Sequence, residues 1–181
     1  MTSAVNLALL HKSGDVSTEQ ALNLFDQLDP VDTQFMLGEW KGEGFNTGHR
    51  MDGLLEAFRW YGKRFHSEDA VDPLIFSRSN GRLVKLNPLW FNLKYARATQ
   101  FTGSKTAQKM FNLATYLLFT RRSRARLRMI EYRGKLSATM VYDHQPINDV
   151  FRKIDDNTVM GLMDAKHMKK PFFFILKSVA T

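Results

Sequence analysis

The sequence predicts a mainly β protein, an antiparallel β-barrel with an N-terminal helix and an inserted one. Three observations carry that expectation. The stretch Met36-Leu37-Gly38-Glu39-Trp40-Lys41-Gly42-Glu43-Gly44-Phe45, read as a strand, sets Met36, Gly38, Trp40, Gly42 and Gly44 on one face. From Arg124 onward, alternating runs are separated by tight-turn residues. Apolar residues at helical spacing are confined to short segments.

In chain order, Ser17-Thr18-Glu19-Gln20 offers a capping box, and Ala21, Leu22, Phe25 and Leu28 follow as a helical stripe that Asp29-Pro30 closes. The glycine–tryptophan strand comes next. Glycine weakens strand interiors, so Gly38 and Gly42 in line with Trp40 suit a first strand that bends and lets other backbone pass close. One large ring then plugs the space; the plainer alternative is a tryptophan filling a sandwich core. Asn46-Thr47-Gly48 makes a turn. Leu54, Leu55, Phe58 and Tyr61 predict a second helix covering one barrel mouth. Val71 to Phe76 and Arg82 to Leu86 read as strands around Ser79-Asn80-Gly81. Asn87 to Thr120 reads as a strand or loop and then a helix through Met110, Phe111, Ala114, Leu117 and Leu118, an inserted lid. Hairpins follow at Arg124–Tyr132 with Leu136–Asp143, and at Val150–Ile154 with Thr158–Met163. Pro171 introduces a last strand, Phe172 to Lys177.

At 181 residues, one domain spanning 1–181 is expected. There is no cysteine, which removes disulfides, thiolate metal sites and cysteine nucleophiles, and a reducing cytoplasm is the expected compartment. No apolar run reaches the ~18 residues that would span a bilayer. The net charge of +8 is concentrated between Arg121 and Lys135. There Arg124, Arg126 and Arg128 alternate with Ala125, Leu127 and Met129, which predicts a strand with one wet and one buried face. No nucleic-acid recognition pattern accompanies it, so nucleic acid is not an expected partner. A membrane-surface role for this basic segment is a lesser alternative. Nothing in the sequence specifies an oligomeric state.

The spacing G-x-W-x-G-x-G resembles the opening strand of the calycins: lipocalins, fatty-acid-binding proteins and nitrobindins. Leu37 to Phe76, with the strings TGH and WYGKRF, resembles the GXWXG domain of a bacterial and plant family. Arg124 to Leu176, with YDHQPINDVFR and GLMD, resembles the domain of unknown function that follows it there. This resemblance implies one calycin-like fold with residues 36–86 and 121–178 as its halves and 87–120 inserted. Arg50 stands where the family pattern has proline after the TGH histidine. The lipocalin likeness implies a basic residue capping the tryptophan, and Lys177 is the nearest counterpart. The nitrobindin likeness raises haem, with His167 the histidine best placed to hold it. No two of the five histidines stand at i,i+3 or i,i+4 spacing, so no metal site is expected, and no cofactor is expected either.

His49, after the glycine turn, is expected at a barrel mouth with Tyr61 and Lys63 from the covering helix and its exit. Asp143 ends a strand nearby. Together they could serve as base, orienting partner and anion anchor; alternatively His49 pairs with Asp52 or Asp143 to hold the loop. Trp60, Tyr142, Met140, Met160 and Arg152 are the expected ligand contacts, although Asp149 and Arg152 read first as residues pinning a rim loop. The leading expectation is a soluble protein binding a small apolar or amphiphilic molecule in the barrel. A cofactor-free acid–base enzyme (isomerase, lyase or cyclase) using the same cavity is the alternative.

Overall fold

Ser17 accepts the Gln20 N–H and the Gln20 side chain accepts the Ser17 N–H, so the expected capping box starts helix α1, Thr18–Gln27. The structure, a computed structural model, describes residues 16–78, 80–88 and 119–179. The helix expected at Met110–Leu118 lies outside them. After α1 come β1 (Asp29–Pro30), β2 (Gly38–Gly44), α2 (Leu54–Ala57), β3 (Trp60–Ser67), β4 (Ala70–Ser77) and β5 (Leu83–Lys85). The second half is all strand: β6 (Ala125–Tyr132), β7 (Lys135–Tyr142), β8 (Ile147–Asp155), β9 (Thr158–Ala165) and β10 (Phe172–Ser178).

Strands β2, β3, β4, β6, β7, β8, β9 and β10 pair in that order, all antiparallel, and β10 returns to β2. The result is a closed eight-stranded up-and-down barrel. Closure removes the open edges that an isolated sheet would expose. The weakest seam is between β4 and β6, joined in register only at Val71 and Ala125. The rest of that β4 edge is taken by β5. Buried Asp72 fastens the junction, accepting from Lys85 and His66 at 2.8 Å and from Ser123 at 3.0 Å. Burial alone would raise its carboxyl pKa, but the hydrogen bonds from Lys85 and His66 hold it below the ordinary value.

Period-two alternation gives the barrel wall two apolar faces in its second half. Asp149 and Phe151 of β8, Val159 and Met163 of β9, and Phe172, Phe174 and Leu176 of β10 face the interior. Val150, Ile154, Met160, Leu162, Phe173 and Ile175 face outward, and Phe25, Leu24 and Ala21 of α1 cover them. The β6–β7 hairpin turns at Arg133 (φ 52°) and Gly134 (φ 75°), the paired positive values of a tight two-residue turn. Arg133 also holds both carboxylate oxygens of Asp26 at 2.6 Å, tying α1 to the hairpin. On β6, Ala125 and Leu127 are buried while Arg126 and Arg128 are exposed against Asp143 and Asp69. That matches the wet face expected there, although Met129 is also exposed.

Two expectations are corrected. The helical spacing through Tyr61 breaks after one turn: α2 ends at Ala57, Arg59 takes φ 56°, and Trp60 opens β3. Unpaired backbone between β2 and β4 would leave both ladders open, so strand pairing outweighs a four-residue apolar period. Lys177 does not cap Trp40: its ammonium pairs with Glu43 at 2.8 Å on the exposed wall. Trp40 is buried as expected, its indole N–H donating to the Met36 carbonyl at 2.8 Å and its ring 5.9 Å from that of Phe35. Trp40→Ala is expected to cost about 3–5 kcal/mol in urea denaturation, the range for large aromatic truncations in cores.

Candidate functional site

Lys63 owes its position to a glycine. Along β3, Trp60 pairs with Phe76 but Gly62 pairs with Ile75, two steps on one strand against one on the other. This bulge changes the parity of β3, so Trp60 and Lys63, three residues apart, both line the interior. The bulge needs Gly62: its φ is 145°, and a β-carbon there would lie 1.9 Å from the Trp40 carbonyl oxygen. A second register shift on β4 follows at Pro73, whose carbonyl accepts from Lys63 Nζ at 3.1 Å.

Lys63 Nζ also lies 2.8 Å from Asp149 Oδ2, with both side chains almost wholly buried. The rings of Phe174, Trp60 and Tyr142 surround the ammonium at 5.1, 5.6 and 5.8 Å. Trp60 stands edge-on to Phe174, ring centres 5.7 Å apart. The space for these rings comes from opposite glycines: a β-carbon at Gly42 would meet the Trp60 ring, and one at Gly161 the Phe174 ring. The pair borders a cavity of about 70 Å³, lined also by Met51, Leu54, Phe58, Leu74, Met163 and Phe172.

Two polar atoms of this lining have no hydrogen-bond partner among the described residues, Asp149 Oδ1 and Trp60 Nε1. Burial raises the Asp149 carboxyl pKa above its ordinary value, and the Lys63 charge only partly offsets this. Tyr142 is pushed well above the ordinary phenol value by burial first and the Asp149 charge second. An anionic acceptor, a cation and an indole donor thus share one apolar chamber. Such an arrangement can orient a ligand's polar end or move a proton.

The histidine and aspartate expected to work together do not meet. His49 is nearly buried, its ring 5.4 Å from that of Phe172. Its Nδ1 accepts the Met51 N–H at 3.2 Å. Its nearby carboxylate is Asp52, which accepts the backbone N–H groups of Thr47 and His49. Asp143 is exposed on the far wall, 3.7 Å from Arg126. Bonded to Met51 and packed on Phe172, it holds the TGH turn against the start of β10. It also lines a separate basic cleft of about 340 Å³ with Arg50, His167, Lys169 and Lys170.

Tyr61 faces outward; its hydroxyl donates to Glu39 at 2.5 Å, and Arg64 holds the same carboxylate. Trp60 and Tyr142 do line the cavity. Met140 is buried in the interior cluster but does not border the space, whereas Met160 points the other way, under α1. Arg152 shares that outer face, its guanidinium 5.1 Å from the Phe25 ring and donating to the Tyr132 carbonyl at 2.8 Å. Asp149, read from the sequence first as pinning a rim loop, lines the cavity instead. Its signal was there: it stands at i±2 from Ile147 and Phe151, a carboxylate on an apolar face. Among the described residues no three His, Asp or Glu converge where a metal ion could sit.

A closed eight-stranded meander around a partly polar cavity defines a calycin-like β-barrel protein. A crystal structure of a protein from Thermomonospora curvata shares this fold, with a TM-score of 0.73 and 32% identity over 99% of this chain and 100% of that one. Residues 23–81 match the GXWXG protein model and residues 123–178 the domain of unknown function DUF4334. The chain belongs to the GXWXG protein family with a C-terminal DUF4334 domain. Among proteins with curated descriptions, none matches.

Removing one partner of a buried pair strands the other charge, at a cost of about 3–5 kcal/mol, whereas apolar replacement of both is often neutral or stabilising. Lys63→Met alone is therefore expected to destabilise by about that amount, and Lys63→Met with Asp149→Leu to recover most of it, both read by urea denaturation. His49 gives a second expectation. Burial is the main cause of its pKa lying below the ordinary 6.5 of the unfolded chain, so folding favours the neutral ring. Its contribution is present above that value and is lost as pH falls toward the depressed folded pKa. Wild type should lose more stability than His49→Asn between about pH 7.5 and 5.5; equal losses in denaturant titrations would contradict this.

Proposed function

We propose that this protein binds a small, mostly apolar molecule inside the barrel, its polar end set against Lys63, Asp149 and Trp60. The observation that carries the reading is the pair of unpartnered polar atoms, Asp149 Oδ1 and Trp60 Nε1, in an otherwise apolar lining. Leaving a buried donor or acceptor unmet costs about 1–3 kcal/mol each, so a ligand that meets them gains what the free protein lacks. A hydroxyl or carbonyl-bearing head fits this pattern. The cation and anion beside it offset one another, which favours a neutral ligand over a fatty-acid carboxylate.

Size narrows the class further. A cavity of about 150 Å³ admits benzene, and the space here is about 70 Å³. It suits a head group and a few carbons, with any longer tail directed along Leu55 and Phe58 of the α2 segment. Cytoplasmic residence belongs to the same proposal and rests on the cysteine-free sequence. Among the described residues no helix is long and apolar enough to cross a membrane.

Titration with a series of n-alkanols, followed by tryptophan fluorescence, tests this. Saturable one-to-one binding is expected, tightening about fourfold per methylene (~0.8 kcal/mol) until the cavity is full. Absence of saturation across the series, or equal response from the Lys63→Met/Asp149→Leu variant, would overturn it.

A further inference from the structure

We infer that the Lys63–Asp149 pair is a proton-transfer centre acting on a small carbonyl compound, with Asp149 as base and Lys63 and Trp60 as donors to the carbonyl oxygen. The inference rests on the cavity binding a small apolar ligand and goes beyond it. Three features of the pair point to chemistry and not only to holding the barrel together. First, a buried ion pair is poor value for stability alone, since apolar side chains of similar volume do as well. Second, the carboxylate is used asymmetrically: Oδ2 is bound by Lys63, while Oδ1 is buried without a partner among the described residues. Third, the donors that an oxyanion would need belong to residues lining the same space. The indole N–H of Trp60 is unpartnered, and the Lys63 ammonium is held 5.6 Å from the centre of that ring. Burial also raises the basicity of Asp149 toward what a C–H acid requires.

The step balances without any added reagent. Asp149 Oδ1 takes a proton from the carbon next to the carbonyl. The C–H electron pair becomes the new C=C bond, and the carbonyl π pair moves onto oxygen, where the N–H groups of Trp60 and Lys63 meet the developing charge. If the Asp149 carboxyl first swaps its proton with solvent, return to the same carbon gives exchange. Returning it to the γ-carbon of a β,γ-unsaturated ketone gives the conjugated isomer, and either outcome restores the Asp149 carboxylate. The substrate class is therefore a small, neutral, mostly apolar ketone or enone, and the reaction class is enolisation or allylic isomerisation.

The test uses the full chain in D₂O with butanone and 4-penten-2-one as probes. Proton NMR follows deuterium incorporation and double-bond migration, and tryptophan fluorescence follows binding in the same samples. Wild type is expected to accelerate exchange over buffer by about 10²–10⁴-fold, the usual scale for a positioned base. Asp149→Asn should remove nearly all of that acceleration. Trp60→Phe, which deletes the indole N–H and keeps an aromatic ring, should slow exchange at least about tenfold. It serves as the second reading where Asp149→Asn does not fold. Probe binding without exchange overturns the proton-transfer centre and leaves the binding reading standing. Neither binding nor exchange overturns both. Exchange that persists unchanged in folded Asp149→Asn, or in Trp60→Phe, overturns the assignment of roles.

Discussion

A β-carbon at residue 62 would sit 1.9 Å from the carbonyl oxygen of Trp40, so β2 and β3 can approach as they do only with glycine there. That close approach makes the bulge, and the bulge decides everything placed on β3. Without it, strict alternation would turn Lys63 outward whenever Trp60 faced in, and the barrel would hold an unpaired Asp149. The same bend brings the Trp60 ring over Gly42, where no side chain obstructs it. Backbone geometry at one residue thus fixes an ion pair formed with a strand far along the chain.

The wall that results is unusual in having two apolar faces over β8, β9 and β10. One face encloses the cavity and the other is sealed by α1. Each face holds one buried charge from β8: Asp149 inward and Arg152 outward. The two are treated differently. Arg152 meets carbonyl oxygens of Tyr132 and Lys135 at the β6–β7 turn, a set of neutral acceptors that pins the hairpin. Asp149 meets a full opposite charge, the Lys63 ammonium. Each nonetheless leaves one atom buried with no partner among the described residues, Nε of Arg152 and Oδ1 of Asp149.

His49 belongs to neither arrangement. Its ring joins the TGH turn to the start of β10 and separates the cavity, through Phe172, from the basic cleft of Arg50, His167, Lys169 and Lys170. With Nδ1 accepting the Met51 N–H, the neutral ring carries its proton on Nε2. The TGH string is thus accounted for by closure of this end of the barrel, while the buried ion pair comes from two other strings, Lys63 of WYGKRF and Asp149 of YDHQPINDVFR.

The sequence by itself determined the local devices: the Ser17 capping box, the glycine–tryptophan strand, the hairpin turns and the strands of the second half. Each depends on neighbours within a few residues, through capping hydrogen bonds, turn dihedrals or period-two alternation. Trp60 and Tyr142 were expected to contact a ligand and do line the cavity, so half of the candidate site was legible. The other half was not. Tyr61 completes an apolar period with Leu54, Leu55 and Phe58, yet strand ladders on both sides claim it. Met160 reads as interior until α1 is seen to make a second interior behind it. The meeting of Lys63 with Asp149 was decided only by tertiary structure. A bulge shifts side-chain parity by one residue, and only the approach of the Trp40 backbone to Gly62 reveals where that shift falls.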